Sequence, residues 1–181
     1  MPHGPGRRLR CRRRSRWQHS RTRRPIAVNV FLSDEQGHPA DGESLRAAAA
    51  AILVAEGYPT DTEAAVYLVD AIEMAGYNER FMNRKGPTDV LAFPTEVLTP
   101  GEAPRPVPGE PPLNVGDVFL CPVEVTRRAG EENVAYDDFI HLLLVHGMLH
   151  LLGYEHEDDA DAAVMERRED ELLEAIGRPW S

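Results

Sequence analysis

The segment His146-Gly147-Met148-Leu149-His150-Leu151-Leu152-Gly153-Tyr154-Glu155-His156 places three histidines in a spacing that suits both a helix and a metal centre. Residues four apart lie on the same face of a helix, so His146 and His150 can direct their imidazoles to one point. Gly153 can end the helix in a left-handed conformation and turn the chain back, which lets His156 approach the same point. Three imidazoles with a free fourth position are the ligand set of a catalytic zinc site. The spacing therefore predicts a zinc centre on His146, His150 and His156.

The alternative interpretation is three unrelated histidines, two of which are satisfied in the core by hydrogen bonds. Burying two imidazoles on one stripe of an apolar helix is costly unless something binds them, which favours the metal centre. His141 lies off the ligand face by its helical angle, and we expect a structural role for it.

Apolar residues surround the segment 136–152 on almost every side, which predicts a buried central helix. Around it the patterns predict strands over 26–32, 64–69, 89–93 and 116–121, and helices over 43–56, 70–81, 122–128 and 158–176. Seven prolines within residues 94–112 predict a surface loop. We expect an α+β fold: a single domain with a small mixed sheet packed around the buried helix that carries the first two metal-ligand histidines.

Length and cysteine content exclude several classes of protein. The 181 residues suit one domain of ordinary size, and two cysteines, Cys11 and Cys121, cannot form a disulfide framework. A reducing compartment is therefore expected. No apolar run approaches the roughly 20 residues that a membrane-spanning helix requires.

Charge divides the chain near Pro25. Residues 1–24 contain ten arginines and no acidic residue, whereas residues 25–181 contain the other ten basic residues and all 30 acidic ones, a net charge of −20. We expect residues 1–24 to be a basic disordered N-terminal extension and residues 25–181 to be the folded domain. A start codon assigned too far upstream would give the same extension. A flexible arm that binds nucleic-acid phosphates and an organellar transit peptide are the alternatives.

The histidine spacing is also that of the metzincin zinc proteases. Those enzymes need a glutamate directly after the first histidine, as the base that activates water. Gly147 occupies that position and cannot carry a proton, which disfavours a metalloprotease.

The histidine segment resembles the signature of the YbeY family, metal-dependent endoribonucleases of ribosomal RNA maturation. Two further blocks are similar to that family: Asn78 followed by Gly86-Pro87-Thr88-Asp89-Val90-Leu91-Ala92-Phe93-Pro94, and Gly116-Asp117-Val118. The resemblance covers about residues 26–178. It implies a YbeY-like metallo-endoribonuclease with one zinc ion on His146, His150 and His156.

The resemblance also implies a function and partners. The expected substrate is single-stranded RNA, cleaved during maturation of the 16S rRNA 3′ end and late ribosome quality control in the cytoplasm. The expected partners are the small ribosomal subunit and an assembly GTPase or a ribosomal protein, with no membrane involved.

Three residues depart from the family pattern. Glu155 replaces an aspartate before the last histidine, Ala92 replaces a serine, and Met82 replaces an arginine found in many members. Arg80 and Arg84 flank Met82, and we hypothesise that one of them takes over the stabilisation of phosphate charge as a catalytic residue. Met82 also leaves open a non-catalytic assembly factor whose zinc fixes the fold.

The acidity of residues 25–181 should repel RNA unless basic residues are gathered in one place. Arg80, Arg84 and Lys85 form one tight cluster and Arg127 with Arg128 another. We predict that the first cluster lines the metal cleft.

Overall fold

The structure, a computed structural model, describes Met1, residues 28–107 and residues 109–180. Apart from Met1, the predicted basic extension over 1–24 lies outside the described residues. Within them the chain forms, in order, β1 (Asn29–Asp34), α1 (Gly42–Ala55), β2 (Glu63–Leu68), α2 (Ala71–Met82), β3 (Val90–Pro94), β4 (Asn114–Leu120), α3 (Pro122–Glu132), α4 (Tyr136–Leu151) and α5 (Asp159–Ala175).

The four described strands form one mixed sheet in the order β1-β2-β4-β3. β1 pairs with β2 and β2 with β4 in parallel, whereas β3 runs antiparallel to β4. The parallel pair β1–β2 needs a crossover, and α1 supplies it. The expected α+β fold with a small mixed sheet is confirmed.

Helix α4 packs against β3 and β4 and is surrounded by α1, α3 and α5. Ten of its sixteen residues are buried, so the predicted central helix is confirmed. On the opposite face of the sheet, α2 buries Met74 against Leu91 and Cys121 with Tyr77, Phe93 and Phe119 packed around them. Among the described residues, no helix is long and apolar enough to cross a membrane.

Local signals set most of the element ends. Asp70 and Asp158 cap α2 and α5 by accepting hydrogen bonds from backbone N–H groups of the first turn. The first predicted strand begins at Asn29 within the described residues and continues to Asp34, while residues 26 and 27 lie outside them. Helix α3 extends past the predicted residue 128 to Glu132, because Asn133 provides the left-handed residue that ends it.

Gly147 lets α4 approach the sheet closely. A Cβ atom at this position would lie 2.8 Å from Val118 Cγ1 and 3.2 Å from Val90 Cγ2. Val118 is fully buried and its β-branched side chain cannot easily move aside. A glycine is therefore needed where the segment between His146 and His150 crosses β3 and β4.

We predict that Gly147→Ala lowers the free energy of unfolding, because overpacking costs about 1–3 kcal/mol and outweighs the better helix propensity of alanine. Gly76→Ala in α2 is the matched control, since a Cβ at Gly76 meets nothing within 4 Å. Alanine there should raise the unfolding free energy by about 0.5–1 kcal/mol. Urea denaturation of both variants measures the effects. Equal stabilisation by the two substitutions would contradict the steric role of Gly147.

Candidate metal centre

The structure brings the three predicted histidines together. One ring nitrogen from each of His146, His150 and His156 lies within 4.8 Å of the others, a group that could hold a metal ion. His146 and His150 stand one turn apart on α4, and His156 follows the end of that helix. The ring centroids are 4.6 to 5.3 Å apart.

A tight turn after α4 returns His156 to the helix. Gly153 has φ +89°, and its N–H donates to the carbonyl of His150 while that of Tyr154 donates to Leu149, each at 3.1 Å. A side chain at Gly153 would collide with the carbonyl oxygen of Leu98. Both the left-handed conformation and this close approach require glycine. The sequence predicted the left-handed conformation but not the approach to Leu98.

Hydrogen bonds at the outer nitrogens determine which ring nitrogens of the two helical histidines are free. His146 Nδ1 lies 2.7 Å from Glu169 Oε1, and His150 Nδ1 lies 2.9 Å from the carbonyl oxygen of Tyr154. A carboxylate and a carbonyl only accept, so each neutral ring carries its proton on Nδ1 and donates. The two Nε2 atoms, 3.1 Å apart, then both present lone pairs to the same point.

This donor set fits a divalent cation of intermediate softness. Two converging lone pairs repel each other unless a cation lies between them, and neutral imidazole is a favoured ligand of zinc. Burial, together with the neighbouring His146 and His156, lowers the pKa of His150 to about 4. At neutral pH His150 is therefore in the neutral form that a metal requires.

Tyr154 links the centre to the core through two of its groups. Its carbonyl orients His150, and its hydroxyl donates to Glu56 Oε2 at 3.2 Å. Glu56 also accepts from Arg168 Nε of α5, and only 2% of the Glu56 side chain is exposed. The turn that carries His156 is thus tied to the C-terminal end of α1 and to α5.

The histidines open onto a cleft of about 490 Å³. The apolar residues Met82, Val90, Leu91, Ala92 and Pro94 form much of its lining, and polar residues including Arg84, Glu155 and Glu157 contribute to it. An open cleft beside the three histidines gives a ligand access to the fourth coordination position.

The two predicted arginines occupy different places. Arg84 lines the cleft, whereas Arg80 lies in the last turn of α2 with its guanidinium carbon 5.1 Å from the centre of the Phe81 ring. Met82 itself lines the cleft. The prediction that Arg80, Arg84 and Lys85 together line the cleft is therefore right for Arg84 and wrong for the other two, which favours Arg84 over Arg80 for contact with a phosphate there.

Other histidine and asparagine side chains have structural roles. His141 is 2% exposed, and its ring nitrogens lie 2.7 Å from the carbonyl oxygen of Asp137 and 3.1 Å from Ser44 Oγ, as the predicted structural role requires. Asn78 is 6% exposed and donates to the carbonyl of Gly86 at 2.8 Å, which holds the loop that contains Arg84.

Sequence reasoning missed Glu169 and the pair of Asp89 with Arg128. Glu169 is one of many acidic residues in a charged helix, and nothing in its spacing sets it apart. Asp89 is within the motif block, but its partner is 39 residues away in sequence. Both partnerships arise from tertiary packing.

Comparison with known proteins agrees with the geometry. The family model described as "Endoribonuclease YbeY" matches residues 32–177. A curated endoribonuclease YbeY of Micrococcus luteus is 45% identical over 118 residues, which cover 65% of this chain and 73% of that protein. The endoribonuclease YbeY of Thermobifida fusca is 40% identical over 146 residues and covers 81% of this chain and 92% of its own length.

A solved structure shares the fold. The solution structure of TM1509 from Thermotoga maritima aligns with a TM-score of 0.56 at 26% sequence identity. The alignment covers 81% of this chain and 88% of the other. The architecture built around α4 is therefore found in another protein.

We predict that Glu169→Ala weakens metal binding by about 10- to 100-fold, because the carboxylate fixes the tautomer and orientation of His146. Glu169→Gln should reduce metal affinity less, since the glutamine amide oxygen can still accept a hydrogen bond from His146 Nδ1. Glu174→Gln, an exposed change on the same helix, is the matched control. Competition with a chromogenic chelator measures zinc affinity directly. An unchanged affinity in Glu169→Ala would contradict this role.

Proposed function

Because the chain belongs to the YbeY family of endoribonucleases, which are RNA-cleaving hydrolases, we propose that it is a zinc-dependent, single-strand-specific endoribonuclease. We propose that it acts in maturation of the 16S rRNA 3′ end and in late ribosome quality control. The observation that supports this proposal best is the convergence of three imidazoles beside an open cleft.

His146, His150 and His156 would hold the zinc ion. Bound by three neutral imidazoles, zinc supplies a Lewis acid that makes water acidic enough to react near pH 7 and polarises a phosphoryl oxygen. The greater acidity of the water reduces the need for a dedicated protein base. Gly147 occupies the position at which a metzincin protease has its glutamate base. The absence of that base at Gly147 supports RNA rather than peptide as the substrate.

The chain's own residues would bind and orient the RNA. The apolar lining of Met82, Val90 and Ala92 suits an unstacked base, which a single strand can offer and a paired strand cannot. Arg84 would donate to the phosphate through its forked N–H groups. Neighbouring acids such as Glu155 keep much of the surrounding surface negative, so correct placement of the strand depends on a few contacts.

We propose that the protein works in the cytoplasm on the small ribosomal subunit, with a ribosomal protein or an assembly GTPase as a partner. The net charge of −20 over residues 25–181 supports the need for such help, because it weakens non-specific attraction to RNA. A partner that binds both molecules would raise the local concentration of the RNA.

The proposed activity is tested by incubating the zinc-loaded protein with single-stranded RNA, duplex RNA and casein, each with and without a chelator. We expect cleavage of the single-stranded RNA alone, lost on chelation and in His146→Ala. The loss in His146→Ala excludes a contaminating nuclease, and His38→Ala, which changes a histidine outside the centre, is the matched control that should retain cleavage. A 5′-phosphate product would indicate attack by water, and a cyclic phosphate would indicate attack by the 2′-hydroxyl.

Two outcomes would replace the proposal. Cleavage of casein would indicate a metalloprotease. Intact RNA combined with a melting temperature that collapses on chelation would indicate a non-catalytic assembly factor with a structural zinc, the alternative that Met82 supports.

We predict that Arg84→Gln lowers kcat/KM for RNA cleavage by about 10- to 100-fold, the effect of losing a charged hydrogen bond to the substrate. Arg80→Gln is the matched control, because Arg80 stacks on Phe81 outside the lining of the cleft. Steady-state kinetics on a single-stranded oligonucleotide compares the two variants. A larger loss in Arg80→Gln would reverse the assignment.

A further inference from the structure

A second pocket adjoins the metal centre. It has a volume of about 320 Å³ and shares His146 and Val90 with the cleft. Its remaining polar lining comes from Asp89, Arg128 and Glu169, and Phe139 supplies an aromatic wall. None of the functions considered so far uses Arg128.

Arg128 is held firmly in this pocket. Its Nη1 donates to Asp89 Oδ2, and its guanidinium carbon lies 5.6 Å from the centre of the Phe139 ring. Asp89 Oδ1 accepts from Thr88 Oγ1 at 3.1 Å and from the N–H of Val90 at 2.9 Å. These contacts fix the carboxylate and, through it, the plane of the guanidinium.

The charges of the pair are exposed to very different degrees. The Asp89 side chain is 3% exposed, whereas that of Arg128 is 43% exposed. The negative charge therefore faces the interior, and the guanidinium presents its remaining N–H donors to the pocket. A donor group fixed in advance loses little conformational entropy when a ligand binds.

We propose that Arg128 binds a backbone phosphate of single-stranded RNA next to the scissile nucleotide. This inference rests on the proposed function, which places RNA in the adjoining cleft. A strand that contacts Arg84 in the cleft and passes His146 reaches the pocket of Arg128, so the two arginines hold phosphates on either side of the reacting bond. Glu169, the other acid in the pocket, has Oε1 engaged by His146 Nδ1 and a side chain that is 14% exposed.

Arg127 provides a matched control one residue away on α3. Its guanidinium is engaged by Glu124 at 2.9 Å and by Glu131 at 2.6 Å in surface ion pairs. Arg127→Gln and Arg128→Gln make the same change in net charge on the same helix. A contribution from general electrostatic attraction would affect both variants equally, whereas a phosphate contact affects only Arg128.

The experiment measures binding of the zinc-loaded full chain to a single-stranded 2′-O-methyl RNA oligonucleotide by fluorescence anisotropy at several salt concentrations, with a gel to show that the oligonucleotide stays intact. We expect Arg128→Gln to raise Kd about tenfold or more, and to reduce the slope of log affinity against log salt by about 0.7, the value for one phosphate contact of a single strand. Arg127→Gln should leave the slope unchanged.

The single variant leaves Asp89 buried without its cation, which can destabilise the fold. The double variant Asp89→Asn with Arg128→Gln removes both charges, and its melting temperature shows whether it is folded. Weak binding by the folded double variant supports the inference. Wild-type affinity in the double variant, or equal effects of Arg127→Gln and Arg128→Gln, would overturn it. If the wild-type protein neither binds nor cleaves single-stranded RNA, the proposed function itself fails.

Discussion

Two imidazole lone pairs that point at each other are the constraint on which the rest of the site depends. His146 Nε2 and His150 Nε2 are 3.1 Å apart, and neither can donate to the other while Glu169 and Tyr154 hold the ring protons on the outer nitrogens. The fold thus maintains a local repulsion that only a proton or a cation relieves. Burial lowers the pKa of His150, so protonation is the less favourable way to relieve the repulsion. The arrangement favours a metal ion through its hydrogen bonds as well as through its spacing.

Several elements cooperate to hold that arrangement. Gly147 sets the distance between α4 and the sheet, and Gly153 lets the chain turn beneath Leu98 so that the last histidine returns. Glu56 at the end of α1 accepts hydrogen bonds from both the Tyr154 hydroxyl and Arg168 Nε. Because these contacts come from α1, the loop after β3, α4 and α5, the geometry of the centre is a property of the folded domain and not of the motif alone.

The sequence predicts those features that depend on local spacing. The four-residue separation of His146 and His150 and the turn glycine Gly153 both follow from helix geometry, and the structure has each of them. The acceptor for His146 could not be found in this way, because a helix rich in acids offers no signal for Glu169. Gly147 shows a further limit: the sequence presents it only as a missing base, whereas its packing on Val118 shows that no side chain fits there.

An acidic domain can receive an anionic substrate when its negative charges are neutralised where the substrate lies. Asp89 and Glu56 are buried and each accepts from an arginine, so their charges contribute little to the field outside the protein. The guanidinium of Arg128 is the exposed half of its pair, and Arg84 lines the cleft. The potential near the histidines is therefore set by the position of these groups and by any bound cation, and the net charge of the chain is a poor guide to it. Salt should consequently weaken binding through a few discrete contacts, as expected for a strand held at defined phosphates.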